Sequence, residues 1–157
     1  MSLMMRALYG ALGGFAGTLV LTGFRKVLAA AGLVGDTAPE QVIAKLEELG
    51  LLDECEWSSE ARRILTGAAH LSYGVGIGKA LGFLRRERGG AAEEAAVGAA
   101  LGLLAWGANW STLLPLVGVH RPPWKERTPK VLLPVLDHVV YGAVWGLAYR
   151  AIRRGRV

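Results

Sequence analysis

The sequence predicts an all-α integral membrane protein, a four-helix bundle built from two tandem helical hairpins. Hydrophobic residues make up 52% of the 157 residues and charged residues only 20%, and the mean hydropathy is +0.34. This composition is too apolar for a disordered chain and is high for an ordinary soluble domain. A helix of about 20 mostly apolar residues crosses a hydrocarbon core of about 30 Å. Four stretches meet this requirement, at approximately 7–24, 64–84, 95–118 and 131–149.

These four spans account for most of the chain. The first and third contain no charged residue, whereas the second contains Lys79 and the fourth contains Asp137. Each span is apolar on nearly every side, which is typical of helices surrounded by lipid and by one another. Because 157 residues fit one domain, we predict a single transmembrane domain over 1–157.

A short amphipathic helix is predicted between the first two spans, over approximately 38–49. Thr37 followed by Glu40 forms a capping-box pattern, Pro39 suits the first turn, and Gly50 suits the C-terminal end. We expect this helix to lie at the membrane surface or against the bundle. The alternative is a lid over a functional site.

Glycine accounts for 22 residues and recurs at four-residue spacing in every predicted span. This spacing places small residues on one helix face, where two backbones approach closely in lipid. We expect these faces to pack the bundle together, with homo-oligomerisation as the alternative. The predicted packing glycines are Gly10, Gly14, Gly74, Gly78, Gly98, Gly102, Gly142 and Gly146.

An internal repeat links the second and fourth spans. Both contain H-x-x-Y-G-x-x-x-G, beginning at His70 and at His138, and these offsets lie on one face of a helix. Pairing Gly14 with Gly102 in the other two spans predicts two hairpins of the same orientation. The alternative is a chance match within glycine-rich apolar sequence.

A layer of polar residues is predicted inside the bundle. Helical rise places these residues at similar depths, near one membrane surface. Ionisable residues inside a membrane are costly and usually mark relays, pathways or ligand sites. The structural alternative is that they hydrogen-bond to one another and hold the helices together. The predicted layer consists of His70, Tyr73, Asn109, Asp137, His138 and Tyr141.

Three functional uses of this layer remain open. A proton or small-solute pathway would use Asp137 and the two histidines. A haem would take His70 and His138 as axial ligands, with room for the porphyrin beside Gly74 and Gly142. A metal ion would be held by the two histidines and Asp137. We expect no resident cofactor, with haem as the alternative, and no enzyme, because no nucleophile, base and acid set has a specific spacing.

The charge distribution indicates how the chain is oriented. The net charge is +5, and the whole excess lies on the side that carries both termini and the middle loop. Arg85, Arg86 and Arg88 and the C-terminal cluster stand directly at span ends, which favours cytoplasmic termini. The basic character is therefore explained by topology and anionic lipid rather than by nucleic acid. Expected partners are the lipid bilayer and a second copy or another membrane-complex subunit.

Aromatic residues near the predicted span ends indicate an interfacial belt. Trp57 and Trp124 flank spans on one side, and Trp145 and Tyr149 approach the other side. Tryptophan and tyrosine are enriched at both membrane surfaces. We therefore expect these four residues to lie at the headgroup level.

Part of the chain resembles a known family. Residues 115–118 (Pro-Leu-Val-Gly), Pro-Pro-Trp at 122–124, His138 and the arginines at 153–154 resemble the C-terminal half of YagU-like bacterial inner-membrane proteins. His70, in an earlier glycine-containing span, is also similar. The resemblance implies a small bacterial inner-membrane protein from a group without an established reaction, and it carries over no catalytic residues.

Overall fold

The computed structural model describes residues 1–32, 37–52, 58–85, 89–126 and 128–155. These residues form helices and connecting turns, without β-strands in any described range. A π-helical segment, Trp106–Leu113, joins α4 (Ala91–Ala105) to α5 (Leu114–Leu116), and one 3-10 turn covers Pro123–Lys125. Trp57, Arg86 and Arg88, on which sequence predictions fell, lie outside the described residues. The helices are α1 (Leu3–Ala30), α2 (Ala38–Glu48), α3 (Ser59–Leu84), α4 (Ala91–Ala105), α5 (Leu114–Leu116) and α6 (Thr128–Arg154).

Three helical stretches in the described residues are long and apolar enough to cross a membrane, namely Leu3–Ala30, Ala91–Leu116 and Val131–Arg154. The count differs from the four spans predicted from the sequence. The second predicted span falls within α3, which is 26 residues long. His70, Lys79 and the glycines of this helix lower its mean hydropathy, because they replace carbon-rich side chains with polar groups or with none.

A seam of glycines joins α1 to α3, which run antiparallel. A Cβ atom added at Gly14 would lie 3.0 Å from the Cα of Gly78, whereas ordinary contacts are 3.4–4 Å. Gly10 packs in the same way against Gly78 and Gly82. Beyond them, the Arg6 guanidinium donates to the Gly82 carbonyl at 3.3 Å. The two backbones therefore touch directly over several turns, which maximises dispersion contacts between them.

A second glycine seam joins α4 to α6. A Cβ added at Gly102 would lie 3.2 Å from the Cα of Gly142, and one added at Gly98 would lie 3.1 Å from the amide nitrogen of Gly146. All eight glycines predicted to pack the helices lie in these two seams. Gly14 packs on Gly74 and Gly78 as Gly98 packs on Gly142 and Gly146. The structural counterpart of Gly14 is therefore Gly98, one turn away from the Gly102 chosen from the sequence.

The contact between α1 and α6 joins the two helix pairs. A Cβ added at Gly13 would lie 3.0 Å from the Trp145 ring, and Gly17 packs against the Tyr141 ring. The Trp145 indole donates to the Gly10 carbonyl at 3.1 Å. Trp145 and Tyr149 are completely buried and stack with centroids 5.2 Å apart. The two rings predicted to belong to an interfacial belt are therefore buried against α1, where glycines leave space for them.

A charged cluster closes the end of the bundle nearest the termini. The Glu94 side chain is only 2% exposed and accepts from Arg85 Nε at 2.9 Å and from the Gly89 amide at 3.0 Å. The hydrogen bond between Arg85 and Glu94 raises the pKa of the Arg85 guanidinium. The Tyr149 hydroxyl donates to the Arg85 carbonyl, and the Arg153 guanidinium lies 5.1 Å from the centre of the Tyr149 ring. The cluster therefore links the end of α3 to the start of α4 and to the last turns of α6.

Candidate functional site

A cavity of about 400 Å³ lies at the end of the bundle opposite the termini, between α1, α3, α6 and the π segment. Its size is within the range of small-molecule pockets, roughly 300–1,000 Å³. Thr18 and Arg25 of α1 also border it. The structure brings the whole predicted polar layer to this one cavity, since its lining includes His70, Tyr73, Asn109, Asp137, His138 and Tyr141.

Apart from these groups, the cavity wall is largely hydrocarbon. It includes Leu21, Val42, Ile77, Ala105, Leu113 and Leu114. A few polar groups in an apolar wall are typical of sites that bind small organic molecules, because the wall supplies affinity and the polar groups set the orientation.

The amphipathic helix α2 covers one side of the cavity. Its first turns contribute Ala38, Pro39 and Val42 to the lining. Ile43 on this helix is buried, and Glu47 forms an ion pair with Arg62 of α3 at 2.8 Å. The helix begins and ends close to the predicted bounds of 38–49, and it lies where either a surface helix or a lid would lie.

An ion pair between α1 and α6 borders the cavity. Arg25 Nε donates to Asp137 Oδ2 at 2.7 Å, and Nη2 donates to the same oxygen. Asp137 is only 3% exposed. Its other oxygen, Oδ1, is buried and accepts no hydrogen bond from any described residue. A buried carboxylate oxygen without a donor is costly, and Oδ1 is such an atom beside the ion pair.

The orientation of His138 fixes the role of its ring nitrogens. Its Nδ1 lies 2.7 Å from the Pro134 carbonyl oxygen. A carbonyl oxygen can only accept, so Nδ1 carries the proton of this hydrogen bond. In the neutral imidazole Nε2 is then an acceptor. His138, which lines the cavity, therefore carries an acceptor nitrogen in its neutral form.

Tyr73 and Asn109 form the rim of the cavity. The Asn109 side-chain amide donates to the Tyr73 hydroxyl at 2.7 Å, which connects α3 to the π segment. Tyr73 is 38% exposed. Within the described residues α3 and α4 form no packed seam. This hydrogen bond is therefore a contact across the gap between the two helices rather than part of a tightly packed interface.

The π segment places Asn109 in this position. The Leu114 amide donates to the Asn109 carbonyl, five residues earlier, and the Thr112 hydroxyl donates to the Gly107 carbonyl at 2.7 Å. Widened helical turns of this kind are rare and occur frequently at functional sites. The sequence prediction assumed a regular helix over 95–118. Pro115, which has no amide hydrogen, was the available signal for irregular hydrogen bonding.

Tight packing separates the cavity from the end of the bundle nearest the termini. The Tyr141 hydroxyl donates to the Gly74 carbonyl at 2.5 Å, and beyond it lie the fully buried Trp145 and Tyr149. The two glycine seams flank these residues. Where α1 meets α6, the described residues thus form no polar route from the cavity to that end.

The geometry also bears on haem and metal binding. The space beside Gly74 is occupied by Thr18, and the space beside Gly142 is occupied by Gly98 and Gly102. Neither glycine leaves the room for a porphyrin that the haem hypothesis assumes. Among the described residues no group of three or more His, Cys, Asp or Glu side chains is placed to hold a metal ion.

Arg25 is the functional-site residue that sequence reasoning missed. The predicted first span, 7–24, ends just before Arg25, yet α1 continues to Ala30. A signal was available, because Asp137 is the single acidic residue of the fourth span and Arg25 directly follows the first span. An arginine and an aspartate at the same depth on neighbouring helices are expected to pair, since each is costly alone in an apolar environment.

A scan against protein-family models and searches of curated proteins and solved structures find no match to this chain. The class of protein is defined by the fold, which is all-helical with three helices long and apolar enough to cross a membrane.

Proposed function

We propose that this protein is a small multi-pass membrane protein that binds a small molecule inside the bilayer. The observation that carries the proposal is the convergence of the predicted polar layer and the Arg25–Asp137 pair on one largely hydrocarbon cavity. Buried ionisable groups are costly in a membrane protein and are retained mainly where they bind or transfer something. A site of this composition suits a ligand with one polar end and an apolar body.

We further propose that α3 is the fourth membrane span. At 1.5 Å per residue its 26 residues extend about 39 Å, more than a hydrocarbon core of about 30 Å. It contacts α1 from Gly82 beside Arg6 to Gly74 beside Thr18. Because α1 is long and apolar enough to cross the membrane, a helix that runs antiparallel along it crosses with it.

A binding site explains the cavity better than a pathway through the bundle. A proton or solute pathway needs polar groups on both sides of the layer, whereas Tyr141, Trp145 and Tyr149 close the side nearest the termini. A purely structural layer would require its members to satisfy one another. The Tyr73–Asn109 bond fits that description, but Asp137 Oδ1 does not.

For location, the proposal is a bacterial inner membrane with both termini in the cytoplasm. It is supported by the YagU-like resemblance and by the basic residues at span ends, such as Arg85. Two fusions to Val157 test the orientation. One carries a reporter that is active only in the cytoplasm, and the other carries a reporter that is active only in the periplasm. Activity of the periplasmic fusion alone would reverse it.

Trp110 provides a direct test of ligand binding, because its side chain lines the cavity. A brominated decyl chain quenches tryptophan fluorescence on contact. We expect saturable quenching with at least one polar head group, reduced in Trp110→Phe. Ala105→Trp should abolish the saturable component by filling the cavity, while Ala100→Trp, on an exposed position of the same helix, should leave it intact.

Far-UV circular dichroism and the melting temperature must show that Ala105→Trp and Ala100→Trp both remain folded. Linear quenching that never saturates, equal in the wild type and both variants, would indicate simple partition into detergent or lipid and would contradict the binding function.

A further inference from the structure

We infer that the cavity takes up its ligand sideways from the bilayer, through an opening between α3 and the π segment that the Tyr73–Asn109 hydrogen bond spans. The inference rests on the proposed ligand-binding function and adds the source of the ligand, and with it the class of molecule. It starts from the order in which the helices pack. Direct contacts join α3 to α1, α1 to α6 and α6 to α4. Because α3 and α4 form no packed seam in the described residues, the bundle is unpacked along one side.

The cavity opens on this unpacked side. Most of its lining is buried or half-buried, and the exposed lining residues are Ala69, Tyr73 and Leu113. Tyr73 is 38% exposed and Leu113 is 52% exposed. Ala69 and Tyr73 lie one turn apart on α3, as Asn109 and Leu113 do on the π segment. These four residues, all of which line the cavity, define the lateral opening.

The other sides of the cavity are covered. Toward α1 and α6 the wall contains Asp137, which is 3% exposed, and toward the termini it contains Tyr141, which is 5% exposed. On a further side α2 lies over the cavity, held by the buried Ile43 and by the ion pair between Glu47 and Arg62. Among the described residues, the lateral opening is therefore the side where a ligand reaches the cavity without displacing a helix.

The lateral opening faces hydrocarbon rather than water. Asn109 and Leu113 belong to Ala91–Leu116, a stretch long and apolar enough to cross a membrane. Tyr73 lies well within α3, which we propose as a span. A strongly hydrated solute would lose its water before it reached the opening, and this loss is costly. The opening therefore suits a lipid-soluble molecule that is already dissolved in the bilayer.

The hydrogen bond between Tyr73 and Asn109 stands across the lateral opening. The Asn109 amide donates to the Tyr73 hydroxyl at 2.7 Å, and the two side chains come from helices that are otherwise unpacked against each other. A ligand that passes between α3 and the π segment has to separate them. Breaking this bond therefore adds to the barrier for entry and to the barrier for release.

Stopped-flow quenching measures this barrier. Decanol brominated at its chain end is mixed with the protein in lipid nanodiscs, and the quenching that is lost in Trp110→Phe gives the rates of entry and release. We expect Tyr73→Phe, which keeps the ring and removes the hydroxyl, to raise both rates about fivefold, the effect of one hydrogen bond. If the release rate alone rises, Tyr73 is a binding contact and its role at the opening is overturned. Two unchanged rates would overturn it as well.

Two crosslinks distinguish entry through the lateral opening from entry beneath α2. Both are made after the single cysteine, Cys55, is replaced by serine. Tyr73→Cys plus Asn109→Cys allows a flexible, reducible bifunctional thiol reagent to tie the lateral opening shut. Glu47→Cys plus Arg62→Cys allows the same reagent to tie α2 to α3, because these side chains also touch in the wild type. Each variant is its own control before crosslinking and after reduction.

The crosslink across the lateral opening should slow entry and release by at least about tenfold, because it holds the access route closed. It should also trap probe that was loaded beforehand, until the reagent is reduced. The crosslink between α2 and α3 should leave both rates unchanged. Slow exchange with the α2 crosslink alone would overturn the lateral route and make α2 the lid.

The two levels of the proposal fail differently. If the probe binds the wild type saturably but exchanges equally fast with the lateral opening tied, the lateral route is overturned and the ligand-binding function stands. If quenching of the wild type never saturates, the ligand-binding function itself fails.

Discussion

Adding one methyl group to the α1–α3 seam, by Gly78→Ala, should destabilise the protein measurably. The new Cβ would lie 2.6 Å from the Gly14 Cα and 2.8 Å from its amide nitrogen. The first distance is about 0.8 Å short of the closest ordinary contact, 3.4 Å. Since both obstructing atoms belong to backbone, no side-chain rotation can relieve the overlap, and the two helices must separate.

The expected magnitude follows from two opposing effects. Overpacking costs about 1–3 kcal/mol, and an obstruction by rigid backbone places Gly78→Ala at the upper end. Alanine recovers about 0.5–1 kcal/mol because it restricts the unfolded chain more than glycine does, so less conformational entropy is lost when the helix forms. We therefore expect a net loss of about 2 kcal/mol in the free energy of unfolding.

Gly76→Ala is the matched control, because a Cβ at Gly76 would meet nothing within 4 Å. The same substitution, two residues away on the same helix, should stabilise the protein by about 0.5–1 kcal/mol. Reversible unfolding in mixed micelles with an increasing fraction of dodecyl sulfate, followed by far-UV circular dichroism, measures both. Equal stabilities for the two variants would refute the glycine seam as the contact that joins α1 to α3.

Two other predictions concern buried ion pairs, each with an exposed control. Glu94→Gln should lower the free energy of unfolding by about 3 kcal/mol, because it removes the buried carboxylate, 2% exposed, that pairs with Arg85. Glu93→Gln should lower it by less than about 1 kcal/mol in the same assay, because the Glu93 side chain is 55% exposed. Arg25→Gln should likewise cost about 3 kcal/mol by leaving the Asp137 carboxylate unpaired, whereas Arg62→Gln, in a half-exposed pair, should change the unfolding free energy by less than about 1 kcal/mol. Similar losses for the buried and the exposed member of either comparison would contradict the assigned burial.

Helical geometry explains why the polar layer could be predicted from the sequence. A rise of 1.5 Å per residue fixes the depth of each residue within its helix, and the H-x-x-Y-G-x-x-x-G repeat fixes which face it occupies. Depth and face together were enough to bring residues as distant as His70 and His138 to one cavity. The predicted packing glycines followed from the same rule, since residues four apart share a face.

The features that the sequence did not predict depend on contacts between helices. Hydropathy indicated that Trp145 lies near a membrane surface, but the space that buries it is provided by Gly13 on another helix. Similarly, α3 was predicted as a span from its length. Its mean hydropathy is low because glycines that pack against α1 carry no apolar side chain, so the residues that join the bundle also weaken its membrane signal.

The two halves of the repeat differ in how closely their helices pack. When the two repeats are aligned with Gly14 on Gly98, Gly13 corresponds to Val97 and Gly17 corresponds to Leu101. On α1 the two glycines admit the rings of α6, and the helices pack tightly.

On α4 a valine and a leucine occupy the equivalent positions. Their side chains keep α3 farther from α4 than α6 is from α1. In the described residues α3 and α4 form no corresponding seam, and the gap near their ends is bridged by Tyr73 and Asn109. The bundle is therefore packed directly where α1 meets α6, and it is not packed in the same way where α3 meets α4 in the described residues.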